Sequence, residues 1–330
     1  MLFERTMGIE GFLSIHQGKK SAFISGNRQI TELIERKINP DRVIEVQHNE
    51  SYTSGSSTNA EIIDRIKLNC DGNRFAELSS SDELEECLDE LLVDGMDVFI
   101  DISSMGVRLL SIVLANVFFL YKFKKNKLRV FCGYEEPKAY KRRGIVPDDE
   151  TYKQAQFALY DAFAPLGPLP DFVSVGSDEK PQLWVVLLGF EGYRTKTIVD
   201  DLSRIDDIIA LVTIPSLKLG WSNHAISENS HFLRGVDHKM PSIRYVTASS
   251  PFAVYNFLCE LQRKYKEYRL QISPFSTKAN SLGVLLYALN NPECLIVFDN
   301  PLESSRPTAE RSDIYHVYEI TQALAGVCIE

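Results

Sequence analysis

The chain has 330 residues, 44% of them hydrophobic, which is enough for two domains or one large domain with substantial cores. Its formal net charge of −9 and its pI near 5.3 argue against a nucleic-acid-binding surface over the whole chain, while a local basic site stays compatible with them. The first residues lack the apolar core of a signal peptide, so we expect a cytoplasmic protein.

In the first half, apolar β-branched runs alternate with amphipathic stretches, a pattern typical of βαβ units and a parallel sheet. The predicted strands are Ser21–Ser25, Arg42–Val46, Arg74–Leu78, Asp97–Ile102 and Leu128–Gly133. The predicted helices are Arg28–Lys37, Ser81–Leu92 and Val107–Tyr121. The longest apolar run, Leu109–Tyr121, has 13 residues. A membrane span needs roughly 20, so we expect a buried helix and no membrane association.

The second half shows the same alternation. Its predicted strands are Leu183–Gly189, Asp207–Thr213, Ile243–Thr247, Tyr268–Ile272 and Cys294–Phe298. Its predicted helices are Arg194–Leu202, Pro251–Tyr265 and Ala279–Leu289. Between the halves, Asp149–Phe163 has the pattern of a helix, and the Pro- and Gly-rich stretch Ala164–Glu179 that follows is typical of an irregular connector.

Three short signatures recur in the two halves at nearly constant spacing, which indicates an internal duplication. The matched pairs, at spacings of 166, 170 and 164 residues, are Gly26-Asn27-Arg28 with Gly192-Tyr193-Arg194, Ile102-Ser103 and Arg108 with Ile272-Ser273 and Lys278, and Tyr134 to Pro137 with Phe298 to Pro301. The sequence therefore predicts an α/β protein made of two tandem Rossmann-like halves with mainly parallel sheets. Residues 1–145 form the first half, 146–181 the linker and 182–330 the second half.

The loops that follow the predicted strands carry basic and hydroxyl side chains in both halves. In open parallel sheets, ligands bind outside the carboxyl ends of the strands, and helix N-termini there favour anions. The predicted ligand-binding residues are Arg28, Ser103, Arg108, Tyr193, Arg194, Asn223, Ser273, Thr277 and Lys278. They predict a small anionic ligand such as a nucleotide. The alternative is that the hydroxyls only cap helices and the cations are solvated. No loop has the pattern of a dinucleotide-binding or P-loop site, and no cofactor is identified.

The loop with Asp101, Ser103 and a following basic residue resembles the signature of CARF domains, the CRISPR-associated Rossmann fold. That signature places an acid or amide, a hydroxyl and a Lys or Arg between a strand and a helix. Here the step from the hydroxyl to the base is one residue longer, and Gln271 stands at the acid position in the second half. The resemblance implies a sensor of cyclic or linear oligonucleotides in prokaryotic antiviral defence, with one duplicated chain in place of a dimer.

A polar segment, Leu217–Arg234, has no close counterpart in the first half, so chemistry is expected in the second half. A helix from Ser222 would place His224, Glu228 and His231 on one face, suited to a general base or, without a convincing third ligand, less suited to a metal. No metal site is predicted. The candidate catalytic residues are His224, Glu191 and Asp299, and the alternative function is an enzyme acting on a nucleotide or another phosphate compound.

A basic stretch from Lys122 to Arg143 contrasts with the acidic chain and suggests contact with a protein or nucleic-acid partner, or simply a solvated helix end. It supports a third hypothesis, an interaction subunit of a larger complex. The six cysteines show no CxxC or zinc-ligand spacing, and we expect free thiols, with Cys132, Cys259 and Cys294 buried.

Overall fold

The structure, a computed structural model, describes residues 4–7, 20–26, 41–52, 62–70, 73–78, 80–124, 127–140, 162–163, 169, 172, 179–201, 205–236, 239–299, 301–302 and 308–327. The chain divides into two compact units. The first unit comprises Met1–Glu136 and Asp313–Ile329, and the second comprises Pro137–Ser312 with Glu330. Both are α/β, as the sequence predicts.

The first sheet has eight strands and is mixed, in the order β1-β15-β7-β6-β2-β3-β4-β5. Its strands are β1 Glu4–Met7, β2 Ser21–Ser25, β3 Arg42–Tyr52, β4 Ile62–Cys70, β5 Asn73–Leu78, β6 Asp97–Asp101, β7 Arg129–Tyr140 and β15 Thr308–Glu319. The central strands β3, β2, β6 and β7 are parallel. Antiparallel pairs stand on both sides of this centre, β3-β4-β5 on one and β1-β15 on the other.

The core of the first unit follows from its apolar runs. Every residue of β2 and β6 is buried, as expected for central strands covered on both faces. Helix α1, Ser81–Leu91, begins at the Ser80 cap, whose side chain accepts a hydrogen bond from the Glu83 amide at 3.3 Å. Helix α2, Val107–Phe119, is buried along most of its length and continues as a π-helical turn to Lys124. Among the described residues, no helix is long and apolar enough to cross a membrane.

The second unit is built on a five-stranded parallel sheet in the order β11-β10-β9-β12-β13. Its strands are β9 Gln182–Leu187, β10 Asp207–Thr213, β11 Ser242–Val246, β12 Arg269–Pro274 and β13 Leu295–Ile296. Numbered within the unit, this is the order 3-2-1-4-5 of a Rossmann-type sheet. The short strands β8 Ala162–Phe163 and β14 Pro301–Leu302 pair separately.

Helices connect the strands of the second sheet. They are α3 Gly192–Asp201, α4 Trp221–Glu228, α5 Ser230–Leu233, α6 Pro251–Lys264 and α7 Lys278–Asn290, while α8, Thr321–Leu324, belongs to the first unit. Helices α6 and α7 pack closely, because a side chain at Gly283 would overlap the Pro251 carbonyl. All six residues of β9 are buried, Trp184 completely. The sheet is therefore a packed core that fixes the loops at its carboxyl edge.

The structure departs from the predicted parallel pattern in the first sheet. Strand β3 was expected to end at Val46 because polar residues follow, but it continues to Tyr52 as a long hairpin with β4. Cross-strand backbone hydrogen bonds extend the strand irrespective of side-chain polarity. The predicted strand at Arg74–Leu78 is present as β5, but it is antiparallel. The predicted helices at Arg28–Lys37 and over most of Asp149–Phe163 lie outside the described residues.

The predicted domain boundaries stay a prediction, to which the structure adds one connection. Strand β15 and helix α8 were assigned by number to residues 182–330, yet β15 pairs with β1 in the first sheet. Thr321, at the start of α8, also accepts a hydrogen bond from the Val130 amide of β7 at 2.9 Å. The chain therefore returns to its first unit at its carboxyl-terminal end.

Candidate functional site

The parallel strands of the second unit bring their carboxyl ends to one edge of the sheet. β9 lies at the centre, with β10 on one side and β12 on the other. The chain leaves β9 towards β10 and returns later to β12, so the crevice between β9 and β12 is the topological switch point. Ligands of such sheets bind at this place, and the loops after β9 and β12 were the ones selected from the sequence.

A pocket lies at this switch point, and we call it the strand-end pocket. It encloses about 430 Å³ of empty space, part of it open to solvent, within the range of small-molecule sites. Its aromatic lining residues are Tyr140, Phe190, Trp221 and Phe275. Its hydroxyl-bearing lining residues are Thr213, Ser216, Ser276 and Thr277. None of the described lining residues carries a charged side chain.

Three rings of the strand-end pocket pack on one another. The ring centroids of Tyr140 and Trp221 lie 5.1 Å apart, those of Phe190 and Trp221 5.4 Å, and those of Tyr140 and Phe190 5.6 Å. Both pairs that involve Phe190 meet edge to face, the favourable geometry for aromatic quadrupoles. All three rings are only half-buried, unlike the core aromatics. They form a firm wall that still has accessible surface.

The loop after β12 is held by hydrogen bonds around Thr277. This residue caps α7, with its Oγ1 accepting from the Asn280 amide at 3.2 Å. The same hydroxyl lies 2.6 Å from the Ala248 carbonyl, to which it donates. The Asn280 side-chain amide donates to the Thr247 carbonyl at 3.0 Å. The mouth of the pocket at α7 is therefore ordered without a ligand.

The turn after β9 contains its own ion cluster. Arg194 donates to both carboxylate oxygens of Asp299, from Nε at 2.7 Å and from Nη2 at 2.6 Å. Its Nη1 lies 3.5 Å from a carboxylate oxygen of Glu191. All three side chains are buried. The cation predicted to bind a ligand is thus compensated by two carboxylates, and its physical role here is to neutralise them and fix the turn.

Two glycines in this turn are required by close packing. A Cβ at Gly189 would overlap the Phe275 carbonyl, and a Cβ at Gly192 would overlap the Glu228 carbonyl. The spacing of Gly189 and Gly192 therefore reflects contact with neighbouring backbone. Glu191 stands directly before α3, where a helix favours a negative charge. The chain fills this anion position with its own carboxylate.

Two other predicted ligand residues are engaged within the protein. Ser273 is fully buried inside β12, and its Oγ accepts from the Trp184 indole at 2.9 Å. The half-buried Tyr193 donates its hydroxyl to Glu191 at 3.0 Å. Burial, reinforced by the Glu191 charge, raises the pKa of Tyr193 well above its ordinary value. Neither residue lines the strand-end pocket.

The remaining predicted residues of the second unit lie around α4 and α7. Lys278 is half-buried at the first position of α7, directly after the pocket-lining Thr277. Asn223 is exposed and His224 half-buried on α4, next to the pocket-lining Trp221. The predicted helix containing His224 is present, but it ends at Glu228, and His231 belongs to the short α5. The catalytic roles of His224, Glu191 and Asp299 stay predictions.

The corresponding edge of the first unit has a different chemistry. Asp101 ends β6 and is fully buried, with Oδ1 accepting from the Ser103 amide at 3.1 Å. Ser103 Oγ accepts from the Glu135 amide at 2.8 Å, and Ser104 Oγ accepts from the Gly26 amide at 3.0 Å. These contacts join the ends of β2, β6 and β7. Ser103 lies in a turn after its strand, whereas Ser273 lies within its strand, so the two serines differ in position.

The predicted basic residues of the first unit have varied surroundings. Arg108 is buried in the first turn of α2, and Arg28 lies outside the described residues. In the basic stretch, Lys124 lies 2.9 Å from Glu85, and Arg129 pairs with Asp97. Lys125 and residues 141–143 lie outside the described residues. The described part of this stretch is therefore partly neutralised by acids of its own unit.

No group of His, Cys, Asp and Glu in the described part of the chain has the arrangement of a metal site. Comparison of the sequence with protein-family models and with curated proteins gives no match. The arrangement of the site is therefore the ground for a functional conclusion.

The sequence reasoning missed the aromatic wall of the strand-end pocket. Phe190 and Phe275 follow the two strand ends directly and carry a detectable signal, since large rings in loops at a switch point are exposed unless they line a site. Tyr140 and Trp221 are far apart in sequence and carry no local signal. Only the fold brings these four rings together.

Proposed function

We propose that this chain is a sensor or regulatory protein that binds a nucleotide-like anionic ligand at the carboxyl ends of parallel strands, in the second unit. The observation that carries the proposal is the strand-end pocket at the β9/β12 switch point. Rossmann-type sheets bind ligands at this position. The uncharged aromatic lining suits the ring of a nucleotide.

The anionic part of the ligand is assigned to the pocket mouth. The N-terminus of α7 begins there, with Thr277 lining the pocket and Lys278 following it. Free helix N–H groups and a lysine ammonium together favour a phosphate. Arg194 is left out of this set because Asp299 and Glu191 already compensate it.

We extend the proposal to the origin and biological role of the chain. Both sheets contain one parallel arrangement, β3-β2-β6-β7 in the first and β10-β9-β12-β13 in the second, in which the earliest strand lies between the second and a later one. This correspondence supports an internal duplication. A duplicated Rossmann-like chain with a strand-end pocket would suit a CARF-like sensor of nucleotide signals in prokaryotic antiviral defence.

The test begins with mass spectrometry of small molecules that co-purify with the full chain, followed by calorimetry with AMP, ATP and cyclic oligoadenylates. We expect Lys278→Met to weaken nucleotide binding by about ten- to a hundredfold, since a charge-assisted hydrogen bond contributes about 1.5–3 kcal/mol. Lys264→Met, at the exposed last turn of α6, is the matched control. Absence of nucleotide binding, or equal affinity in Lys278→Met with an intact fold, would contradict the proposal.

A further inference from the structure

The strand-end pocket differs from a phosphate site in the chemistry of its lining. Its described lining residues are apolar, aromatic or hydroxyl-bearing, and none is charged. An anion inside such a pocket would lose its hydration without a compensating cation, which is strongly unfavourable. The part of a ligand that enters the pocket is therefore uncharged.

The wall of the pocket is suited to a planar ring. Tyr140, Phe190 and Trp221 contact one another at centroid distances of 5.1 to 5.6 Å and keep half-exposed surface. Phe275 adds a fourth, buried ring, and the Arg194 guanidinium lies 4.4 Å from its centroid. That cation holds Phe275 from behind the cluster of Glu191 and Asp299. Such preordered aromatic surfaces bind flat heteroaromatic rings by stacking.

The polar atoms of the lining are mainly hydrogen-bond acceptors. Ser216 donates its hydroxyl to the Lys218 carbonyl at 2.6 Å, and Thr277 donates to the Ala248 carbonyl at 2.6 Å. A hydroxyl has one proton, so the capacity that these two side chains retain is that of an oxygen lone pair. A ring edge that carries an amino group or N–H complements them, and a ring edge with a carbonyl oxygen does not.

We infer that the strand-end pocket is a recognition site for an uncharged heteroaromatic ring bearing an exocyclic amino group, such as adenine. The inference rests on the proposed function, since it names the part of the nucleotide-like ligand that gives specificity. It adds that a nucleoside without phosphate binds on its own. It also adds that the amino group, and not the charge, discriminates between ligands.

The chain offers a built-in probe for this inference. It has two tryptophans, Trp184 and Trp221. Trp184 is fully buried in the core, whereas Trp221 lines the pocket. Titration of the full chain with adenosine is expected to change the fluorescence of Trp221, and Trp221→Phe is expected to remove the response while leaving the Trp184 emission.

Affinity is measured in parallel by calorimetry with adenosine, inosine and AMP. Inosine has a carbonyl in place of the amino group, and we expect it to bind at least about tenfold more weakly than adenosine. Phe190→Leu is expected to weaken adenosine binding by about ten- to a hundredfold through lost stacking. It also serves if Trp221→Phe fails to fold. Tyr245→Ala, an exposed aromatic on β11 outside the pocket lining, is the matched control.

The outcomes separate the inference from the proposed function. Adenosine binding with a Trp221 response and discrimination against inosine supports the inference. Binding of AMP without any binding of adenosine, or equal affinities for adenosine and inosine, overturns the inference and leaves the proposed anion site standing. Binding of adenosine with no gain from the phosphate of AMP supports the inference and overturns the anion site. Absence of binding by all three overturns both.

Discussion

The buried cluster of Arg194, Asp299 and Glu191 gives the sharpest stability prediction. The side chain of Arg194 is 7% exposed and that of Asp299 3% exposed, and two hydrogen bonds of 2.6 and 2.7 Å join them. Replacing Arg194 by methionine keeps much of the apolar stem and removes the charge. Two carboxylates then remain buried without the cation that compensates them.

The expected cost follows from which charges are left behind. Arg194→Met should lower the free energy of unfolding of the second unit by about 3–5 kcal/mol, the usual cost of breaking a buried ion pair from one side. Asp299→Asn keeps the shape and one accepting oxygen, and Glu191 still compensates the arginine, so about 1–3 kcal/mol is expected. The double variant Arg194→Met with Asp299→Leu should lose less than the sum, because the pair is removed together.

The assay uses intrinsic tryptophan fluorescence during urea unfolding. Both tryptophans of the chain belong to the second unit, so their signal reports that unit even if the two units unfold separately. Arg244→Met is the matched control, since Arg244 is exposed on β11 and should change stability by less than about 0.5 kcal/mol.

An Arg194→Met variant with the urea midpoint of the wild type would refute the reasoning. So would strict additivity in the double variant, because it would show that the two side chains do not depend on each other. Either result would return Arg194 to the set of residues available to a ligand.

Three further predictions test the packing of the structure. Gly192→Ala should destabilise the second unit by about 1–3 kcal/mol in urea unfolding, because the added Cβ overlaps the Glu228 carbonyl, and wild-type stability would contradict this contact. Burial raises the pKa of Tyr193 above its unfolded value, so stability present below about pH 10 should be lost as the pH rises further. Tyr193→Phe should show a shallower alkaline loss, and an unchanged pH profile would exclude this residue as its source. Burial raises the pKa of the Cys294 thiol to about 12, so a thiol reagent at neutral pH should label the half-buried Cys87 well before Cys294, as read by peptide mass spectrometry; equal rates would place Cys294 at the surface.

The sequence by itself determined the elements whose pattern is strong and local. The apolar runs at Ser21–Ser25, Asp97–Asp101 and Asp207–Thr213 are strands in the structure, and the apolar run after Val107 is a buried helix. A central strand covered on both faces must be apolar throughout, so its own residues reveal it. The order of strands and helices in the second half likewise indicated a parallel sheet with its loops at one edge.

Tertiary structure decided the features that depend on residues far apart in the chain. The hairpin partner of β3 and the placement of β15 in the first sheet come from backbone pairing, which leaves little trace in side-chain polarity. The use of Arg194 was also decided there, because its partner Asp299 lies 105 residues away. An arginine near a strand end has the same local sequence whether it faces a ligand or a carboxylate of its own protein. Burial and the arrangement of neighbouring charges distinguish the two, and both are properties of the folded chain.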